Sequence, residues 1–128
     1  MWRISLLGLL IWVAGTITIR IWGQYFLQPQ LTARTLTLYA ASFVAMALLI
    51  PLMLRLLGVE ESSWPRGACL LILPTLILDP FSCLFFASAF PNVDPAAAGA
   101  FGGWMLICCG GAVVAVLVRS LRRVERGA

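Results

Sequence analysis

The sequence predicts an all-α integral membrane protein, a four-helix bundle with both termini in the cytoplasm. Three observations predict it. Of the 128 residues, 62% are hydrophobic and only 11% are charged, whereas a soluble domain is about 45–50% apolar and about 25% charged. Four long apolar runs occupy most of the chain, each near the roughly 20 residues that a helix needs to cross the hydrocarbon core. Proline-bearing polar segments separate the runs. A separate soluble catalytic domain does not fit in what is left, and the chain reads as a single membrane domain over residues 1–128.

The first run covers residues 4–22 and is broken only by Ser5, Thr16, Thr18 and Arg20. Arg3 followed by a greasy core is also how a signal peptide begins, but this core is longer than usual and Ala14-Gly15 makes a poor cleavage site. It is taken as a retained span. Residues 23–35 form a polar, proline-containing loop with Tyr25 and Phe26 near the interface. The second span covers residues 36–57, and Gly58 to Arg66 turns the chain. The third covers residues 67–90. Pro91-Asn92-Val93-Asp94-Pro95 is a tight corner, because two prolines flanking Asn and Asp favour a turn. The fourth covers residues 96–118, and residues 119–128 are a basic tail.

The chain has nine arginines, no lysine or histidine, and five acids, for a formal charge of +4. With the N-terminus inside, Arg3, Arg55, Arg66, Arg119, Arg122, Arg123 and Arg126 fall on the cytoplasmic side, against Arg20 and Arg34 outside. That asymmetry sets the orientation, because cytoplasmic loops collect Arg and Lys. Trp2 and Trp64 then lie at the inner interface and Trp22 at the outer. The only dense basic run directly follows an apolar span, so it reads as an anchor near anionic lipid headgroups. No nucleic-acid partner is expected, and the expected surroundings are the lipid bilayer.

Helices in lipid associate through small residues and interhelical hydrogen bonds. In the fourth span Gly99 and Gly103 form a GxxxG pair, Gly110 falls near the same face, Ala96 and Ala100 extend the strip, and Gly102 and Gly111 broaden it. Two readings stand: packing within one bundle, or a homo-oligomer interface through the fourth span. Ala41 and Ala45, and Gly8 and Gly15, repeat the pattern more weakly. Pro51 and Pro74 lie roughly 9 and 10 Å from the inner ends of their spans at about 1.5 Å per residue, where each frees a backbone carbonyl and bends its helix.

Asp79 is the most informative residue. It lies roughly 18 Å from the inner end of the third span, at a depth where a carboxylate is costly and marks function by default. Arg20 is expected within reach, Thr16 level with it, Ser82 one turn beyond and Ser42 at a similar height. The expectation is an outer-half polar cluster of Thr16, Arg20, Ser42, Asp79 and Ser82. Four readings follow: an Arg20–Asp79 pair fixing the helices, a small binding or proton-linked pocket open to the outer face, an Asp79 that stays neutral, or an Arg20 that snorkels to the outer headgroups.

Cys69, Cys83, Cys108 and Cys109 all fall within spans. Vicinal thiols suit soft metals, but no second donor pair receives the ion, so they read as small apolar residues. No metal or cofactor is expected. There is no histidine base, no GxSxG elbow, no phosphate loop and no paired surface carboxylates. Glu60 and Glu61 read as a solvated loop between Arg55 and Arg66. Nothing points to an enzyme.

The stretch from Leu76 through Asp79-Pro80-Phe81 to Phe86, followed by Phe90-Pro91-Asn92 and the small-residue start of the fourth span, resembles a family of small bacterial four-helix membrane proteins classed only as a domain of unknown function. The resemblance spans nearly the whole chain. It implies an integral bacterial inner-membrane protein and brings no substrate, cofactor or catalytic residue. The chain lacks fluoride-channel motifs and the first-span glutamate of small multidrug resistance transporters. Two functions are therefore expected: a non-enzymatic accessory or oligomeric membrane module, or a small-solute or ion transporter or channel subunit using the pocket around Asp79 and Arg20.

Overall fold

A computed structural model describes residues 2–30 and 32–127, with the side chains of Arg126 and Gly127 left aside. Leu31 of the first loop and, in the basic tail, the Arg126 side chain and Ala128 lie outside the described residues. The chain forms α1 (Trp2–Phe26), α2 (Ala33–Leu56), α3 (Trp64–Leu84), α4 (Phe86–Ala89) and α5 (Ala98–Gly127). Four of these, two with a preceding 3₁₀ turn, are long and apolar enough to cross a membrane. The protein is an all-α four-helix bundle and a multi-pass membrane protein.

Local chemistry accounts for the boundaries. α1 runs four residues past Trp22, so the expected 23–35 loop shrinks; Pro29 then restricts the residue before it to extended backbone. α2 starts at Ala33 because Thr32 caps it, its hydroxyl accepting from the Thr35 amide at 3.3 Å. It ends on Gly58 at φ +67°, a left-handed position that suits glycine. There Val59 N–H donates to Leu54 and Gly58 N–H to Arg55, both at 3.0 Å, the paired closure of a Schellman turn. Pro65 sits in the first turn of α3, where its missing N–H costs nothing.

The third span departs most from the 67–90 expectation. α3 continues through Pro74 and Pro80, breaks at Phe85, and the short α4 carries the chain on to the corner. Asp94 restarts it, accepting from the Ala96 amide at 2.9 Å. α5 then stays helical through Arg119 and beyond, so the residues read as a tail prolong the fourth helix.

Spatial order differs from chain order. α1 packs along α3, α3 against α5, and α5 along α2, while α1 and α2 make almost no backbone contact. Because successive spans reverse direction, α1 is parallel to α3 and α2 to α5. Two apolar clusters sit at opposite ends. One joins Ile4, Ile50, Leu54, Trp64 and Val116, which brings the start of α1 and the end of α5 to the same end of the bundle. The other joins Ile19, Leu27, Phe86, Phe90 and Phe101, with the three phenylalanine rings 5.1–5.7 Å apart. Between them lies the site.

Candidate functional site

The buried stripe of α3 runs through Ala68, Leu71, Ile72, Asp79 and Ser82, near the 3.6-residue period, so Asp79 occupies a core position. It is 7% exposed. Its Oδ1 accepts from the indole N–H of Trp12 on α1 at 2.8 Å. Its Oδ2 is buried and has no hydrogen-bond partner. A buried carboxylate oxygen left bare is an expensive arrangement.

Asp79 borders two cavities. The larger, 280 Å³, receives Trp12 and Thr16 from α1, Met46 from α2, Thr75 from α3, and Phe101 and Trp104 from α5. The smaller, 180 Å³, lies between α3 and α5 beside Cys83 and Gly102. Cys108 and Cys109 also line the larger cavity and Cys109 the smaller. The larger cavity also reaches Ile11, Gly15 and Thr18 on α1 and Leu49 on α2, all exposed on the bundle surface. It therefore opens sideways between α1 and α2, midway along the two helices.

The structure gathers only part of the expected cluster. Thr16 lines the cavity with Asp79. Ser82 is buried one turn away, but its hydroxyl donates to the Leu78 carbonyl at 3.3 Å. Ser42 holds Trp104, accepting from its indole N–H at 2.7 Å. Arg20 corrects the expected pair: it is exposed and donates to the Ala89 carbonyl at 3.1 Å, not to Asp79. The physical reason is the break at Phe85, since α4 ends with free carbonyls beside α1, and the guanidinium satisfies one of them at the end of the bundle away from the N-terminus.

The fourth-span glycines separate as well. A Cβ on Gly103 would lie 2.5 Å from the Tyr39 hydroxyl oxygen, and one on Gly111 2.5 Å from the Phe43 carbonyl oxygen, both on α2; Gly110 faces Phe43 at 4.0 Å. Gly99 faces open space. The Tyr39 hydroxyl donates to the Ala100 carbonyl at 2.5 Å. All four cysteines are free thiols. Among the described residues, no group of three or more His, Cys, Asp or Glu is placed to hold a metal ion.

Sequence reasoning missed Trp12, Trp104 and Tyr39, and named Asn92 only as part of the corner. The signal for the first two was depth, because an indole N–H far from the interface needs an acceptor inside the bundle. Asn92 ties the corner to α1 by donating to the Ile19 carbonyl at 3.2 Å and to the Gln24 side chain.

No curated protein and no solved structure matches the chain. A family model described as a family of unknown function (DUF5367) matches residues 26–123, from the last residue of α1 into the final turns of α5, and thus includes Asp79 but not Trp12. The chain belongs to this family of unknown function.

Proposed function

We propose that the protein binds a lipophilic organic cation in the cavity beside Asp79 and carries such molecules through the bilayer. One observation supports this above all: the buried Oδ2 of Asp79 has no partner, while Oδ1 has only a neutral indole. A carboxylate in hydrocarbon must be neutralised by a proton or a cation, and Arg20, the expected internal cation, is bonded elsewhere. The walls suit an organic guest. Trp12, Trp104 and Phe101 line the cavity, and aromatic rings attract cations, while the sideways mouth favours a molecule already dissolved in lipid.

The accessory-module reading rests on the small-residue strip of the fourth span. Gly103 and Gly111 already face α2 within the bundle, so the strip gives a second copy less support than it gives the bundle. The role proposed is binding and passage, not bond-making. Orientation and residence are part of the proposal: the end carrying Arg3, Arg55, Arg66, Arg119, Arg122 and Arg123 faces the cytoplasm of a bacterial inner membrane.

The test uses benzyltrimethylammonium and its uncharged carbon analogue, neopentylbenzene, with purified full-length protein in detergent. Quenching of tryptophan fluorescence reports occupancy near Trp12 and Trp104. The expected result is saturable binding of the cation only, lost in Asp79→Asn. Equal binding of the neutral analogue, or unchanged binding in a folded Asp79→Asn variant, overturns the proposal. Uptake of the cation into proteoliposomes then separates a carrier from a binding protein.

A further inference from the structure

A third cavity, independent of Asp79, opens at the arginine-rich end of the bundle. It measures 570 Å³ and lies between the start of α3 and the last turns of α5. Trp64 forms its floor, 4% exposed and fixed by its indole N–H donating to the Val59 carbonyl at 2.9 Å. The guanidinium carbon of Arg119 stands 5.3 Å over the centre of that ring. Arg122 and Arg123 follow at three and four residues, the spacing that keeps side chains on one helix face, and both line the same groove. Ser62 adds a hydroxyl, and the one acid among the lining residues is Glu61.

Three guanidiniums against one carboxylate leave the groove cationic. Guanidinium groups match phosphate oxygens with two parallel N–H donors, and the stacking of Arg119 on a fixed ring orders it before any ligand arrives, which lowers the entropy cost of binding. The groove also lies at headgroup height: the apolar run of α5 ends at Val118, and Arg119 is the first charge beyond it. On the preceding turn of α5, to either side of the groove, Leu117 and Val118 are exposed, a surface for acyl chains that a free phosphate ion does not need.

We infer that this groove binds the phosphodiester headgroup of an anionic phospholipid, with Arg119, Arg122 and Arg123 as the phosphate ligands. The inference does not depend on the cavity at Asp79.

Native mass spectrometry of the purified full-length protein, equilibrated with equimolar phosphatidylglycerol and phosphatidylcholine in detergent, counts the retained lipid. The expected result is selective retention of phosphatidylglycerol. Arg122→Gln and Arg123→Gln, both at exposed positions, each lower that selectivity about fivefold with helicity unchanged by circular dichroism. Arg55→Gln, at the same end but outside the groove, leaves it unchanged. Absence of selectivity in the wild type overturns the inference, as does an equal loss in Arg55→Gln, which would reduce the effect to general surface charge. Displacement of the lipid by soluble glycerol phosphate as readily as by phosphatidylglycerol overturns the lipid assignment in favour of a free phosphate.

Discussion

Trp12 of α1 donates its indole N–H to Oδ1 of Asp79 on α3 across 2.8 Å, so the innermost acid of the bundle is held from a neighbouring parallel helix. Trp12→Phe keeps the ring and removes the donor, leaving both oxygens of Asp79 bare. A loss of about 1–3 kcal/mol is expected, read as a lower midpoint in thermal unfolding in detergent. Combining Trp12→Phe with Asp79→Leu removes donor and acceptor together, and the double variant is expected to be more stable than the sum of the two single losses implies. Strict additivity would mean that the bond contributes nothing.

Gly103 and Gly99 are one helical turn apart and meet different surroundings. Gly103→Ala drives a methyl against the Tyr39 hydroxyl, which is itself bonded to Ala100, and a loss of about 1–3 kcal/mol is expected. Gly99→Ala enters open space and is expected to leave thermal stability unchanged or slightly raised. Equal sensitivity at both positions would point instead to a contact outside the single bundle, and size-exclusion chromatography of the two variants would then show it as a change in assembly size.

Arg20→Gln tests the corrected pairing. Its guanidinium is exposed and bonds a backbone carbonyl at the end of α4, so the substitution is expected to change stability by no more than about 0.5 kcal/mol. Binding of benzyltrimethylammonium is expected to be unaffected. A collapse comparable to that of Asp79→Asn would restore the ion pair as the basis of the site.

Topology is open to direct measurement. Fluorescent-protein fusions are expected to glow at both the N- and the C-terminus, and alkaline phosphatase is expected to be inactive at both. An active phosphatase at the C-terminus would reverse the orientation drawn from the arginine count.

The four spans were legible because hydrophobic length is a one-dimensional property, and the Asp94 and Pro95 restart could be read locally. The break at Phe85 was not: Pro74 and Pro80 advertise disruption earlier, yet α3 passes both. Asp79 stood out on depth alone. Its partner did not, because measuring height along straight helices brought Arg20 to it. The break gave Arg20 a nearer carbonyl, and the indole that reaches the acid was passed over as apolar bulk. Tyr39 and Trp104 were missed for a related reason: which face of α2 meets α5 is decided by three-dimensional pairing, which periodicity does not report.

The parallel pairing of α1 with α3, and of α2 with α5, has a consequence for synthesis. As the ribosome delivers the chain, the first two spans enter the bilayer with neither of their principal partners yet made. Each of the two waits through one intervening span before its mate arrives, so no hairpin of neighbours closes early. Assembly is therefore a late event, completed only when the glycine-lined fourth helix arrives to receive α2.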